Sequence, residues 1–95
     1  MKAFDLHCDT ALALLGPKYY ADGLLRENQF HIDLSRMKKY PAYAQCFACY
    51  CSPLEKLPGK MTVEDLFERE ISVLLREWNG NADLIEQVYC PDEIV

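Results

Sequence analysis

Apolar and polar positions alternate over residues 3–8, Ala-Phe-Asp-Leu-His-Cys, which predicts a strand with Phe4, Leu6 and Cys8 on one face and Asp5, His7 and Asp9 on the other. Ala11 to Leu15 is a short apolar run that Asp9 or Thr10 is placed to cap and Gly16-Pro17 to end, the signature of a short helix. Residues 17–30 read as a polar, tyrosine-containing loop. Between His31 and Tyr40 the residues Ile32, Leu34 and Met37 suit one side of a short helix begun at Asp33 or Ser35 and stopped by Pro41.

The run from Ala42 to Cys51 holds one amide, Gln45, and no helical polar face, so it is expected to be a strand buried on both sides, as in a parallel sheet. Ser52-Pro53 closes it, and Leu54 to Lys60 is a loop rich in proline and glycine. Thr62 followed by Asp65 forms a capping-box signature; Val63, Phe67, Ile71, Leu74 and Trp78 then line one face of a helix that Asn79-Gly80 ends. Leu84 to Tyr89 is a candidate third strand. Cys90 to Val95, with a proline followed by two acids, has the look of a starting helix. Strands alternating with helices build a parallel sheet, so the fold class is α/β. Two or three strands offer few neighbours for a strand buried on both faces, which points to the opening part of a larger α/β fold. The alternative is a compact small domain whose last helix frays.

The chain has 95 residues, 51% of them hydrophobic and 26% charged, a composition that excludes disorder and low-complexity classes and leaves room for one domain. Ten basic against fifteen acidic residues give a net charge of -5. Apart from Lys38-Lys39 the cations are scattered, so nucleic acid and anionic membranes are not expected partners. No stretch approaches the roughly 20 apolar residues of a membrane span, and Asp5 interrupts any apolar leader, so a cytoplasmic location is expected. Five cysteines, an odd number without a regular framework, are expected to be reduced.

Three clusters could carry chemistry. In Asp5-x-His7-x-Asp9, residues two apart on a strand share a face and lie about 6–7 Å apart, so His7 and Asp9 are placed to converge on one cation beyond the strand's C-terminal end. Imidazole with carboxylate suits zinc better than calcium. The plain alternative is a surface strand with three solvated polar residues. Cys46-x-x-Cys49-x-Cys51 lacks the turn glycine of a zinc knuckle and the helix start of a redox pair, so all three, with Cys8 and Cys90, are expected to be buried structural thiols. Glu64, Glu68, Glu70 and Glu77 are expected on the solvated side of the long helix. Tyr19, Tyr20 and Tyr40 suit either packing or substrate contact.

Phe4-Asp5-Leu6-His7-Cys8-Asp9-Thr10, then His31 to Lys39, then Tyr43 to Tyr50, resembles the N-terminal part of the membrane (renal) dipeptidase family of zinc peptidases. The similarity runs through most of the chain, including the helix from Thr62 to Trp78 and the run from Val88 to Ile94. It implies strand–helix units of a (β/α)8 TIM-like barrel, residues 1–95 being the N-terminal portion of a metallo-dependent hydrolase. It further implies that His7 and Asp9 are ligands of one of two zinc ions. Asp5, deeper on the same face, takes a supporting role toward the His7 ring. The same motif also occurs in other metal-dependent hydrolases of the amidohydrolase type, so the order of the later segments carries much of the identification.

The family's bridging glutamate, its two later histidines and its substrate-binding residues have no counterpart up to Val95. Glu93 stands at a helix start, ahead of the strand that would bear that glutamate, and the resemblance gives His31 no ligand role. A complete barrel takes about 250 residues. The chain by itself is therefore expected to hold at most one partial zinc site and no catalytic residue. Its expected partners are the remainder of the barrel or other copies of itself, and a dipeptide once the barrel is complete. The rival expectation is a non-catalytic fragment or interaction module that keeps the family's opening strands.

Overall fold

The computed structural model describes residues 2–16, 19–20, 23–51 and 57–94; the expected turn at Ser52-Pro53, Pro17, and the start of the following loop lie outside them. In chain order the elements are β1 (Lys2–Cys8), α1 (Thr10–Leu15), α2 (Leu34–Met37), β2 (Ala42–Phe47), α3 (Val63–Gly80) and a single 3-10 turn at Pro91–Glu93. The strands pair in parallel, with Lys2 opposite Ala42 and Asp5 opposite Gln45. The class is thus α/β as expected, with a two-stranded sheet among the described residues.

The pairing slips between Asp5 and Cys8, because Cys8 stands opposite Phe47. Leu6 and His7 therefore share one partner, Cys46, and a bulge of this kind breaks the strict alternation of faces. Its effect appears in burial. Cys8 is buried, whereas Phe4 and Leu6 are 56% and 77% exposed.

The core lies on the helical side. Leu14 and Leu15 of α1, Leu25 from the loop, Leu34 of α2, and Leu66 and Val73 of α3 form one buried cluster. The loop enters it because its own polar groups are satisfied. Leu34 N–H and Ser35 N–H donate to the carbonyls of Leu25 and Arg26 at 2.9 and 3.0 Å. Buried Asp33 caps α2, one oxygen accepting from Arg36 N–H at 2.8 Å, the other from Arg36 Nε at 2.9 Å and Asn28 N–H at 3.1 Å. Burial works to raise the Asp33 pKa, but these donors and the Arg36 charge outweigh it and hold the carboxyl below its ordinary value. Gly23 donates to the Leu14 carbonyl at 3.1 Å, and a side chain there would press on Leu14 and Phe30 at 3.1 and 3.2 Å.

The capping box of α3 forms as expected: Thr62 Oγ1 accepts from Asp65 N–H, and Asp65 Oδ2 from Thr62 N–H. The buried face differs from the expected stripe. Leu66, Glu70, Val73, Leu74 and Glu77 are buried, while Phe67 is 47% exposed. Residues 66, 70, 73 and 77 also follow helical spacing, but two glutamates among them made the neighbouring stripe look the more apolar. Glu77 is accommodated by Leu25 N–H, which donates to its Oε1 at 2.6 Å. Trp78 keeps a role as expected, edge-on to Phe47 with ring centroids 6.1 Å apart.

Other expectations are corrected. β2 ends at Phe47 instead of Cys51 and is half-buried along its length, with Cys46 exposed. Neighbours that would cover both its faces are not found among the described residues. No third strand forms over 84–89: 81–84 make a turn bonded back to Asn81, and 85–88 carry no ladder. The helix expected from Cys90 is the one 3-10 turn, closed by Glu93 accepting from Tyr89 and Cys90 N–H.

Candidate metal site at the end of β1

The bulge and the start of α1 bring the C-terminal end of β1 to a turn, with Asp9 as the residue before the helix. Asp9 makes no capping bond with its side chain; the carboxylate turns back toward β1 instead. There His7 Nε2 lies 3.1 Å from Asp9 Oδ1, with both side chains more than half exposed. Two ligands each about 2.0–2.2 Å from a tetrahedral zinc stand roughly 3.3–3.6 Å apart. A small opening of this pair would admit the ion between them. Nitrogen with oxygen is a donor set zinc accepts. Among the described residues no group of three His, Cys, Asp or Glu is arranged to hold a metal. Among the described residues His7 and Asp9 are thus a pair without a third such group beside them.

Asp5 lies on the same strand but meets His7 through the backbone: its Oδ1 accepts from His7 N–H at 3.4 Å. Its Oδ2 accepts from Gln45 Nε2 at 3.0 Å, and Gln45 Oε1 accepts from the Tyr43 hydroxyl at 2.6 Å. This chain of bonds crosses the parallel pair at Asp5 and Gln45, which are in register, and fixes the strand just ahead of His7. Burial, with the Asp5 charge behind it, pushes the Tyr43 hydroxyl up from its ordinary pKa, which keeps it a donor.

The other clusters resolve differently. All five cysteines are free, but Cys46 and Cys90 are exposed and Cys49 and Cys51 half-buried, so only Cys8 is a buried thiol as expected. Cys46 and Cys90 both face solvent, Cys90 following the exposed residues 86–89. Tyr20 is exposed and takes the Arg69 guanidinium over its ring at 5.0 Å; Tyr40 packs on Tyr43 at 5.4 Å. His31 is exposed.

Sequence reasoning missed Glu70. It is fully buried in α3, against the expectation of a solvated face, and its Oε2 accepts from the Cys51 thiol at 3.1 Å. Desolvation, assisted by the Asp9 charge, raises its pKa, while the bonds from Cys51 and from Tyr50 N–H pull the other way. The same contact, after burial, pushes the Cys51 thiol up to about 12. One signal was available: Glu70 stands four residues from both Leu66 and Leu74, in the middle of an apolar row.

No protein-family model, curated protein or solved structure matches this chain. No helix of the described residues is long and apolar enough to cross a membrane.

Proposed function

We propose that the chain contributes the first metal-ligand strand of a zinc-dependent dipeptidase built on a (β/α)8 barrel, with His7 and Asp9 holding one ion of a binuclear site. The observation that carries this reading is the convergence of His7 Nε2 and Asp9 Oδ1 at 3.1 Å beyond a parallel strand. Barrel enzymes place their chemistry at that end of the strands. A zinc ion held there by His7 and Asp9 would supply Lewis-acid chemistry, polarising a scissile carbonyl and lowering the pKa of water. The residues here bind and orient: His7 and Asp9 offer one nitrogen and one oxygen, and the Asp5–Gln45–Tyr43 bonds hold the strand that presents them. The exposed Phe4 and Leu6 support the larger barrel, since an additional layer would cover them.

Titration with zinc, followed by calorimetry with the thiols blocked and on the ring resonances of the histidines present, tests the reading. Weak saturable binding that His7→Ala and Asp9→Asn each remove is expected, because most ligands of a complete site are missing. Dipeptide turnover by the 95-residue chain should stay at background. Shifts at His31 with none at His7 would overturn the assignment.

A further inference from the structure

Glu70 is a carboxyl enclosed by the core without a charge to balance it. Its residue exposure is 0%, and it stands between Leu66 and Leu74 on the buried face of α3. One oxygen, Oε2, accepts from the Cys51 thiol at 3.1 Å, and Tyr50 N–H also donates to the carboxyl. The other, Oε1, has no donor among the described residues. No ion pair of the described residues includes Glu70, and the adjacent Arg69 extends over the Tyr20 ring instead. Among the described residues the titratable groups that face Glu70 are themselves acidic: Asp9 from the turn before α1, and Cys49 and Cys51 from the segment after β2. The helix packed on α3, α1, carries no titratable side chain. An ionised carboxylate so placed holds a full charge away from water with two donors, one of them a weak thiol, a cost that the neutral acid avoids. Burial accordingly pushes the Glu70 pKa up.

We propose that Glu70 is a proton-operated latch between α3 and the segment after β2: protonated on Oε1 it holds Tyr50 and Cys51 against the helix, and ionised it draws water into this contact and loosens the segment. The latch is independent of the metal-binding reading given above. Ala48 N–H donates to the Cys8 carbonyl at 2.9 Å, which fixes the near end of the segment to β1 and leaves Glu70 as the hydrogen-bonded tie at residues 50 and 51. Because the folded-state pKa lies above the ordinary 4.5, the latch is complete below that value and is lost as pH rises through the higher folded value. The Cys51 thiol, pushed up to about 12, stays a donor throughout this range.

Carbon-13 NMR of the glutamate-labelled 95-residue chain tests the latch, with the Glu70 carboxyl carbon assigned through bonds from its own backbone amide. That carbon should titrate with a midpoint above 4.5. Hydrogen exchange at Tyr50 N–H, corrected for its intrinsic rate, should quicken about tenfold per pH unit from 4.5 up to that midpoint and level off above it. Glu70→Gln keeps an oxygen toward Tyr50 and Cys51 and has no proton to lose, so its corrected exchange should show no such rise. A Glu70 carbon that titrates at or below 4.5 overturns the proposal. A raised midpoint with a flat corrected exchange rate at Tyr50 in the parent also overturns it, whether or not the variant folds. So does a rise in folded Glu70→Gln that parallels the parent.

Discussion

The helical side and the sheet side of this molecule are finished to different degrees. On the helical side Leu14, Leu25, Leu66 and Leu74 are almost wholly removed from water, and two of the buried carboxylates among them, Asp33 and Glu77, have backbone N–H partners, while Glu70 keeps one oxygen without one. On the sheet side Phe4 and Leu6 face outward, and no residue of β2 reaches full burial. A helix satisfies its backbone internally, so α1 and α3 need only side-chain contact to become stable. A strand needs a neighbour at each edge and a layer on each face, and two strands provide one shared edge. The packed helices cover the sheet from one side, and the His7–Asp9 pair lies at the exposed end of β1.

The contrast breaks most sharply at Leu14. Truncation to alanine opens a cavity among Leu25, Leu34 and Leu66 and should cost about 2–5 kcal/mol, read as a fall in the chemical denaturation midpoint. Next in size is Asp33→Ala, expected to cost about 2 kcal/mol, because it strips the cap from α2 and leaves buried backbone donors unpaired. The pH dependence of this loss has a definite sign. The folded-state pKa lies below the ordinary 3.8, so the Asp33 contribution is complete above that value and disappears as pH falls through the lower folded value. Denaturation of parent and variant at pH 7 and at successively lower pH should show their difference shrinking only on the acid side.

Thr62→Ala removes one half of the α3 capping box and should cost about 1 kcal/mol, measurable by thermal melting. The smallest effect is expected at Leu6. Replacement by serine should change monomer stability by less than about 0.5 kcal/mol, since the side chain is already in water. It should instead reduce self-association, which sedimentation equilibrium over a wide concentration range would detect. A monodisperse parent chain, unchanged by Leu6→Ser, would mean that the exposed face is not adhesive and would remove a support for the larger barrel.

Some parts of this structure are legible residue by residue. The Thr62–Asp65 box, the Asp33 cap and the Gly16 end of α1 are local, because each depends on side chains within a turn of the backbone groups they satisfy. The two strands were visible from alternation and from the apolar run at Ala42, and their parallel pairing from the helices between them. The contact between His7 and Asp9 is equally local, since the two are two residues apart.

Tertiary structure decided what depends on partners distant in sequence. The burial of Glu77 needs Leu25 N–H, 52 positions away, and that of Glu70 needs Cys51 and Tyr50, so a pattern of apolar spacing along α3 could only count both as polar. The bulge at Leu6 and His7 comes from matching β1 to β2, and a single strand read alone keeps perfect alternation. For the same reason residues 84–89 have strand-like composition without being a strand: β-structure exists between segments, whereas a capped amphipathic helix such as α3 carries its hydrogen bonds within its own sequence.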